Sequence, residues 1–254
     1  MTKNFQPIIE IIEEDYQIPQ LKRHRRISAL LPYDYHQSEQ SYPVLYLHDG
    51  QNLFDENSPF GNWAIDDSLA VLAQQGYGDI VVIAIDHGGE DRINEYQPFN
   101  SKEYGQGQGK QYIKFLMETL KPYVDKKYRL LDGSQHTGIG GSSMGGLISL
   151  YAGLSFPETF SKMMIFSPSL WLSNRIYQIA RKFKPVESSH LYLYAGGKES
   201  QAHLPNVMRF GAELLTNLGN GLRFKFSHNP DGVHNEMNWR EEFPIALKWL
   251  YFES

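Results

Sequence analysis

The sequence has 254 residues, no cysteine and a formal net charge of -5 at pH 7. Without a basic stripe we expect no nucleic-acid partner, and without cysteine there is no disulfide, zinc thiolate site or cysteine nucleophile. The first residues lack the apolar core of a signal peptide and no apolar run approaches the length of a membrane span, so we expect a cytoplasmic protein with no membrane partner.

Short apolar runs rich in β-branched residues alternate with longer amphipathic runs along the chain. The short runs predict strands at 8–12, 25–31, 44–47, 80–85, 137–141, 163–166, 191–194 and 222–226. The longer runs predict helices at 65–75, 110–127, 144–154, 168–182, 204–218 and 243–252. The first two strands favour an antiparallel hairpin, and the later alternation of strand and helix favours parallel strands. We therefore expect one domain over 1–254 with an α/β-hydrolase fold, a mostly parallel eight-stranded sheet flanked by helices.

The interval between the sixth and seventh predicted strands is short. Residues 167–190 leave room for one helix and its loops, whereas many lipases carry a cap domain in this place. We expect no cap domain and an open site that is covered only by loops. The longest of these loops spans 87–108 and is too long for a passive connection.

The glycine-rich stretch after the fifth predicted strand carries the most specific catalytic signature. It contains G-x-S-x-G with Ser143 at its centre, between a predicted strand and a predicted helix. Glycines allow the tight strand-to-helix turn that exposes the serine hydroxyl at its apex. The amino terminus of the helix favours the negative charge that develops during acyl transfer. Ser143 is therefore the predicted nucleophile.

A histidine base is expected on the loop after the last strand, because the triad of this fold follows the chain order serine, acid, histidine. His228 and His234 both lie in this region. His228 is too close to the end of the strand, whereas His234 lies in a glycine-containing turn just before a helix. His234 is therefore the predicted general base.

The acid that orients the histidine is expected on the loop after the seventh strand. Glu199 lies on this loop, three residues after Gly196. Asp231 is the alternative, but it precedes His234 by three residues on the same turn, where a local Asx turn is more usual. Glu199 is the favoured acid on this geometric ground.

The oxyanion hole needs two backbone donors that point at one position. One is expected from Met144, directly after the nucleophile. The loop after the third strand supplies the other, where Gly50 allows a sharp turn and Gln51 follows it. The N–H groups of Gln51 and Met144 are the predicted donors.

Four motifs together resemble the putative-esterase (esterase D-like) family of α/β-hydrolases. They are HDGQNLF (48–54), RINEY (92–96), TGIGGSSMGG (137–146) and GVHNE (232–236). The family includes enterobactin and other siderophore esterases, feruloyl and acetyl carbohydrate esterases, and S-formylglutathione hydrolases. The resemblance implies Ser143 as nucleophile, His234 as base, and Gln51 and Met144 as oxyanion donors. The acid varies among these relatives, and some siderophore esterases work with a serine–histidine pair alone, so Glu199, Asp231 and a dyad stay open.

These residues predict a serine esterase that acts on a small-molecule ester through an acyl-enzyme. The alternative is an acyltransferase of the same fold, in which an alcohol or a sugar replaces water. We expect no cofactor and no metal, because His87, His190 and His203 show no ligand spacing.

An open cleft admits a bulky or polar ester, such as a sugar, phenolic or siderophore ester. Arg92 is a candidate to bind a substrate carboxylate or hydroxyl. Tyr96, Trp63 and Trp171 are candidates for an aromatic wall, because each lies on a loop or helix start at the strand ends, and a core or surface role is the alternative for each of the three. Arg92 could alternatively pair with Glu95 and fix its own loop.

Overall fold

The protein is described from a computed structural model over residues 4–55, 58, 61–186, 189–216 and 221–253. Eight strands form one sheet in the order β1-β2-β4-β3-β5-β6-β7-β8. They are β1 (Ile8–Ile18), β2 (Arg23–Leu31), β3 (Val44–His48), β4 (Val81–Ile85), β5 (Thr137–Ser142), β6 (Lys162–Phe166), β7 (Ser189–Gly196) and β8 (Leu222–Asn229). β2 pairs antiparallel with β1 and with β4, and all later pairs are parallel. The expected α/β-hydrolase sheet is confirmed.

The sheet separates two apolar cores. On β3, Val44 and Tyr46 belong to one core while Leu45 and Leu47 belong to the other, as the alternation of side chains along a strand requires. Every residue of β3 and β4 is buried, which explains why these strands are apolar without interruption. Because the strands from β3 onward are parallel, their carboxyl ends meet at one edge of the sheet.

The helices are α1 (Ile65–Gln74), α2 (Arg92–Glu95), α3 (Gly109–Phe115), α4 (Lys121–Lys127), α5 (Met144–Ser155), α6 (Arg175–Lys182), α7 (His203–Leu215) and α8 (Glu236–Tyr251). The helix predicted over 110–127 is divided by a π-helical turn at Leu116–Leu120. In the helix predicted over 204–218, residues 217–218 lie outside the described residues.

Two predicted helix starts are wrong. α8 begins at Glu236 rather than at 243, because the side chain of Asn235 accepts a hydrogen bond from the N–H of Asn238 and caps the helix. α6 begins at Arg175 rather than at 168, because the extended backbone of Ser173 separates it from a short 3-10 turn at Leu170–Leu172. Apolar periodicity alone does not detect the polar first turn of α8, and it does not separate the apolar 3-10 turn Leu170–Leu172 from α6.

The interval between β6 and β7 holds this 3-10 turn and α6 over its described part, residues 167–186, with no cap domain there. Over the chain segments that the structure describes, no helix combines the length and hydropathy needed to cross a bilayer.

Candidate active site

A cleft of about 340 Å³ opens at the edge of the sheet where the parallel strands end. Its walls come from the segments that follow β3, β4, β5 and β8. The lining residues are Asp49, Asn52, His87, Arg92, Ser142, Ser143, His234, Glu236 and Trp239. The predicted nucleophile and the predicted base therefore share one cavity.

Ser143 occupies a strained turn between β5 and α5. Its backbone has φ 56° and ψ -119°, a region that L-residues rarely adopt. The turn is tight, because a Cβ on Gly141 would lie 3.0 Å from the carbonyl carbon of Gly145. The N–H of Ser143 donates to the carbonyl oxygen of Phe166 at 3.0 Å, which ties the turn to the end of β6. This is the geometry expected of a nucleophile elbow.

The hydroxyl of Ser143 has a close neighbour, the buried Ser169 on the segment after β6. Ser143 Oγ lies 3.3 Å from Ser169 Oγ, and either hydroxyl can donate in this contact. The N–H of Ser169 also donates to the backbone carbonyl of Ser143 at 3.0 Å. Ser169 therefore fixes the backbone of the turn as well as contacting its side chain.

His234 and Glu199 lie in direct contact. His234 Nδ1 is 2.6 Å from Glu199 Oε2. The histidine side chain is 41% exposed, whereas that of Glu199 is only 2% exposed. Because Nδ1 faces the carboxylate, Nε2 is the ring nitrogen left to act on a group in the cleft.

The carboxylate of Glu199 is surrounded by donors. Oε1 accepts hydrogen bonds from Ser167 Oγ at 2.6 Å and from the N–H of Gly196 at 2.7 Å. His203 Nε2 also lies 3.2 Å from Oε2, although it forms no hydrogen bond with a described residue. Burial alone would raise the pKa of Glu199, but the hydrogen bonds from His234, Ser167 and Gly196 outweigh it and lower that pKa. Glu199 is thus held as an anion against His234.

Asp231, the alternative acid, and His228, the alternative base, do not take part in the contact between His234 and Glu199. Asp231 has a side chain that is 81% exposed and pairs with Lys198 at 2.6 Å. His228 lies within β8, paired in register with Ala195. The structure therefore brings Glu199 rather than Asp231 against His234.

The segments chosen for the oxyanion donors lie side by side, because β3 and β5 are adjacent in the sheet. Met144 is the first residue of α5, where the N–H has no partner within the helix. Gln51 lies in a 3-10 turn, and its side-chain oxygen accepts from the N–H of His87 at 3.0 Å. A Cβ on Gly50 would lie 3.0 Å from the backbone nitrogen of Asp86 and 2.6 Å from its Oδ1, so a larger residue would require the end of β4 to shift.

Arg92 lines the cleft and is held by a carboxylate. Its Nε and Nη2 donate to the two oxygens of Asp49 at 2.7 and 2.8 Å. Burial would lower the pKa of Arg92, but the paired Asp49 raises it above its usual value, so the charge persists. The alternative pairing of Arg92 with Glu95 is not formed, since Glu95 binds Arg23 and Arg25.

Three aromatic residues predicted to contact substrate lie elsewhere. Trp63 is 2% exposed and stacks on Phe166 with ring centroids 5.2 Å apart, so its place is in the core. Tyr96 is fully buried beneath the guanidinium of Arg92. The prediction that Trp63 and Tyr96 contact a substrate is therefore wrong, because both side chains are buried. Trp171 is 58% exposed but contacts Tyr104 and does not line the cleft.

Trp239 is the aromatic residue that sequence reasoning missed. It lines the cleft, and its ring lies edge-on to that of His234 with centroids 4.9 Å apart. Glu236, also missed, lines the cleft from the same first turn of α8. The sequence signal that could have identified both residues is the helix-capping residue Asn235 directly after His234, because it places the first turn of α8 beside the site.

The sheet and the elbow define an α/β-hydrolase. A family model described as "Putative esterase" matches residues 18–250. The chain belongs to this esterase family. It is 25% identical to the uncharacterized protein YbbA of Bacillus subtilis over 90% of this chain and 93% of that protein.

A second relative has a described activity. The chain is 32% identical to the iron(III) enterobactin esterase of Escherichia coli K12 over 49% of this chain, and the match spans 32% of that enzyme. Among solved structures, the BES protein of Bacillus cereus superposes with a TM-score of 0.79 at 19% identity, over 100% of this chain and 97% of that one. At this identity the superposition shows the fold.

Proposed function

We propose that the protein is a serine esterase with Ser143 as nucleophile, His234 as general base and Glu199 as the acid that orients the base. The observation that carries the proposal is the 2.6 Å contact between His234 Nδ1 and Glu199 Oε2. The strained turn of Ser143 opens into the same cleft as His234, which supports a shared role.

In the proposed reaction, Ser143 Oγ attacks the ester carbonyl carbon while His234 Nε2 accepts the hydroxyl proton. The N–H groups of Gln51 and Met144 stabilise the oxyanion that forms. When the tetrahedral intermediate collapses, the C–O bond to the alcohol breaks and His234 gives its proton to the leaving oxygen. A water then attacks the acyl-enzyme with His234 again as base, which releases the acid and restores Ser143.

The residues of the cleft wall support a polar substrate. Asp49 occupies Nε and Nη2 of Arg92, so Nη1 remains to donate to a carbonyl, carboxylate or hydroxyl oxygen. Trp239, which is 4% exposed, adds a small apolar area to the wall of the same cleft. Together with the similarity to an iron(III) enterobactin esterase, this supports a bulky polar ester of the siderophore, phenolic or sugar class.

Hydrolysis is favoured over acyl transfer to an alcohol. The side chain of His234 is 41% exposed, so solvent water has access to the base. An acyltransferase has to keep water from its acyl-enzyme, and an exposed base does not serve that purpose.

Replacement of the nucleophile tests the proposal. Ser143→Ala should abolish hydrolysis of p-nitrophenyl acetate and prevent labelling by a serine-directed phosphonate, because the hydroxyl is gone. Ser142→Ala is the matched control, since Ser142 is the adjacent serine in the same cleft wall, and it should retain labelling. Wild-type turnover by Ser143→Ala would refute the nucleophile.

A further inference from the structure

Ser167, directly after β6, has a backbone conformation that its side chain does not favour. Its φ is 45°, in the left-handed region where glycine is accommodated at no steric cost. The residue is fully buried, and its N–H donates to the carbonyl oxygen of Tyr194 at 2.9 Å. A strained serine in this place calls for a role of its hydroxyl.

The direction of the hydrogen bonds at this hydroxyl is fixed by its neighbours. Trp239 Nε1 lies 3.0 Å from Ser167 Oγ, and an indole nitrogen can only donate. Ser167 Oγ therefore accepts from Trp239 and keeps its single hydrogen for another acceptor. Glu199 Oε1 lies 2.6 Å away and receives it. The indole thus sets the hydroxyl as a donor to the carboxylate.

The same indole also contacts His234, which bonds the second oxygen of this carboxylate. The ring of Trp239 meets that of His234 at 86°, with centroids 4.9 Å apart. Four residues therefore contact one another in a ring, in the order Trp239, Ser167, Glu199, His234 and back to Trp239. A shift of the indole would disturb the carboxylate through Ser167 and the imidazole directly.

We propose that Ser167 and Trp239 are positioning residues, which hold Glu199 in line with His234 through a fixed chain of hydrogen bonds from indole to hydroxyl to carboxylate. The inference rests on the proposed roles of Glu199 and His234. In this proposal the left-handed conformation of Ser167 serves catalysis rather than folding, because that conformation keeps the hydroxyl between the indole and the carboxylate.

Ser167→Gly separates these two purposes. Glycine relieves the left-handed strain, so the midpoint of thermal unfolding should be no lower than in Ser167→Ala, which loses the same two hydrogen bonds and keeps the strain. Ser189→Ala is the control for loss of a buried hydroxyl elsewhere. Loss of one hydrogen bond to a charged group should lower kcat for p-nitrophenyl acetate about 10- to 100-fold, with KM changed less than about twofold. Ser189 is a matched control because it is buried at the opposite end of β7 and its hydroxyl has no partner among the described residues.

A double-mutant cycle tests the chain itself. Trp239→Phe keeps a ring beside His234 but removes the N–H, so kcat should fall less than in Ser167→Gly. The double variant should be no slower than Ser167→Gly alone, because the indole acts on Glu199 through the hydroxyl. If the loss of kcat in the double variant equals the product of the two single losses, the two residues act independently and the proposed chain of hydrogen bonds is overturned.

The outcomes distinguish this inference from the proposed function. If Ser143→Ala is inactive while Ser167→Gly has wild-type kcat, the positioning role is overturned and the esterase proposal stands. If kcat falls only together with a lower unfolding midpoint in both Ser167→Gly and Ser189→Ala, the loss is structural and the inference is again overturned. If Ser143→Ala retains activity, both are overturned.

Discussion

Glu199→Gln is the most informative perturbation of the proposed site, because it keeps the shape of the side chain and removes its charge. The N–H of Gly196 is a fixed donor 2.7 Å from Oε1, so the glutamine carbonyl oxygen has to occupy that position. Its NH2 group then faces His234 Nδ1 in place of Oε2, which lies 2.6 Å from that nitrogen in the native protein. Because an NH2 group can only donate a hydrogen bond, this contact requires that Nδ1 of His234 carries no proton.

The consequence is a change of tautomer. With the imidazole proton on Nε2, His234 can no longer accept the proton of Ser143. We expect kcat/KM to fall roughly 10³- to 10⁴-fold, which is the size seen when a triad acid is replaced by its amide. That corresponds to about 4 to 5.5 kcal/mol of lost transition-state stabilisation. The loss should lie mainly in kcat, since Glu199 is only 2% exposed and has little surface to offer a substrate.

Steady-state hydrolysis of p-nitrophenyl acetate, with circular dichroism to verify folding, measures this effect. Asp231→Asn is the matched control, because it makes the same chemical change on an exposed side chain that pairs with Lys198. It should change kcat/KM by less than about twofold. A loss below about tenfold in Glu199→Gln would support a serine–histidine dyad, and a larger loss in Asp231→Asn would move the acid to Asp231.

Three further outcomes are expected. Burial holds the pKa of His48 at about 4 against 6.5 in a model peptide, so the unfolded chain binds its proton first as the pH falls. On going from pH 7.5 to pH 5, the free energy of unfolding should fall about 2 kcal/mol more in the wild type than in His48→Asn. An equal fall in both proteins, measured by denaturant titrations at the two pH values, would refute this. Because the proposed steps use only Ser143, His234 and backbone N–H groups, EDTA should leave the rate unchanged; a loss that zinc or calcium restores would contradict this. Acetyl esters should be hydrolysed much faster than palmitoyl esters, without a jump at a lipid–water interface, because charged Asp49, Arg92 and Glu236 line the cleft; interfacial activation would argue for a lid.

The sequence by itself determined the sheet and the order of the proposed site along the chain. Short apolar runs rich in β-branched residues are local signals, so all eight strands were predicted, and the loops that follow them could be assigned by chain order alone. Ser143, Glu199 and His234 each lie at the end of such a strand or on the loop after it. Their shared position at the carboxyl edge follows from parallel strand direction.

Only the tertiary structure decided which side chains meet at that edge. Trp63 and Trp239 are both buried in the same apolar core, at 2% and 4% exposed, yet only Trp239 also lines the cleft and contacts His234. The indole of Trp239 reaches Ser167 across 72 positions of sequence. No local pattern encodes such a contact, because it depends on how α8 packs against the sheet. The choice of Glu199 over Asp231 as the neighbour of His234 has the same origin, since that contact forms only when the ends of β7 and β8 lie side by side.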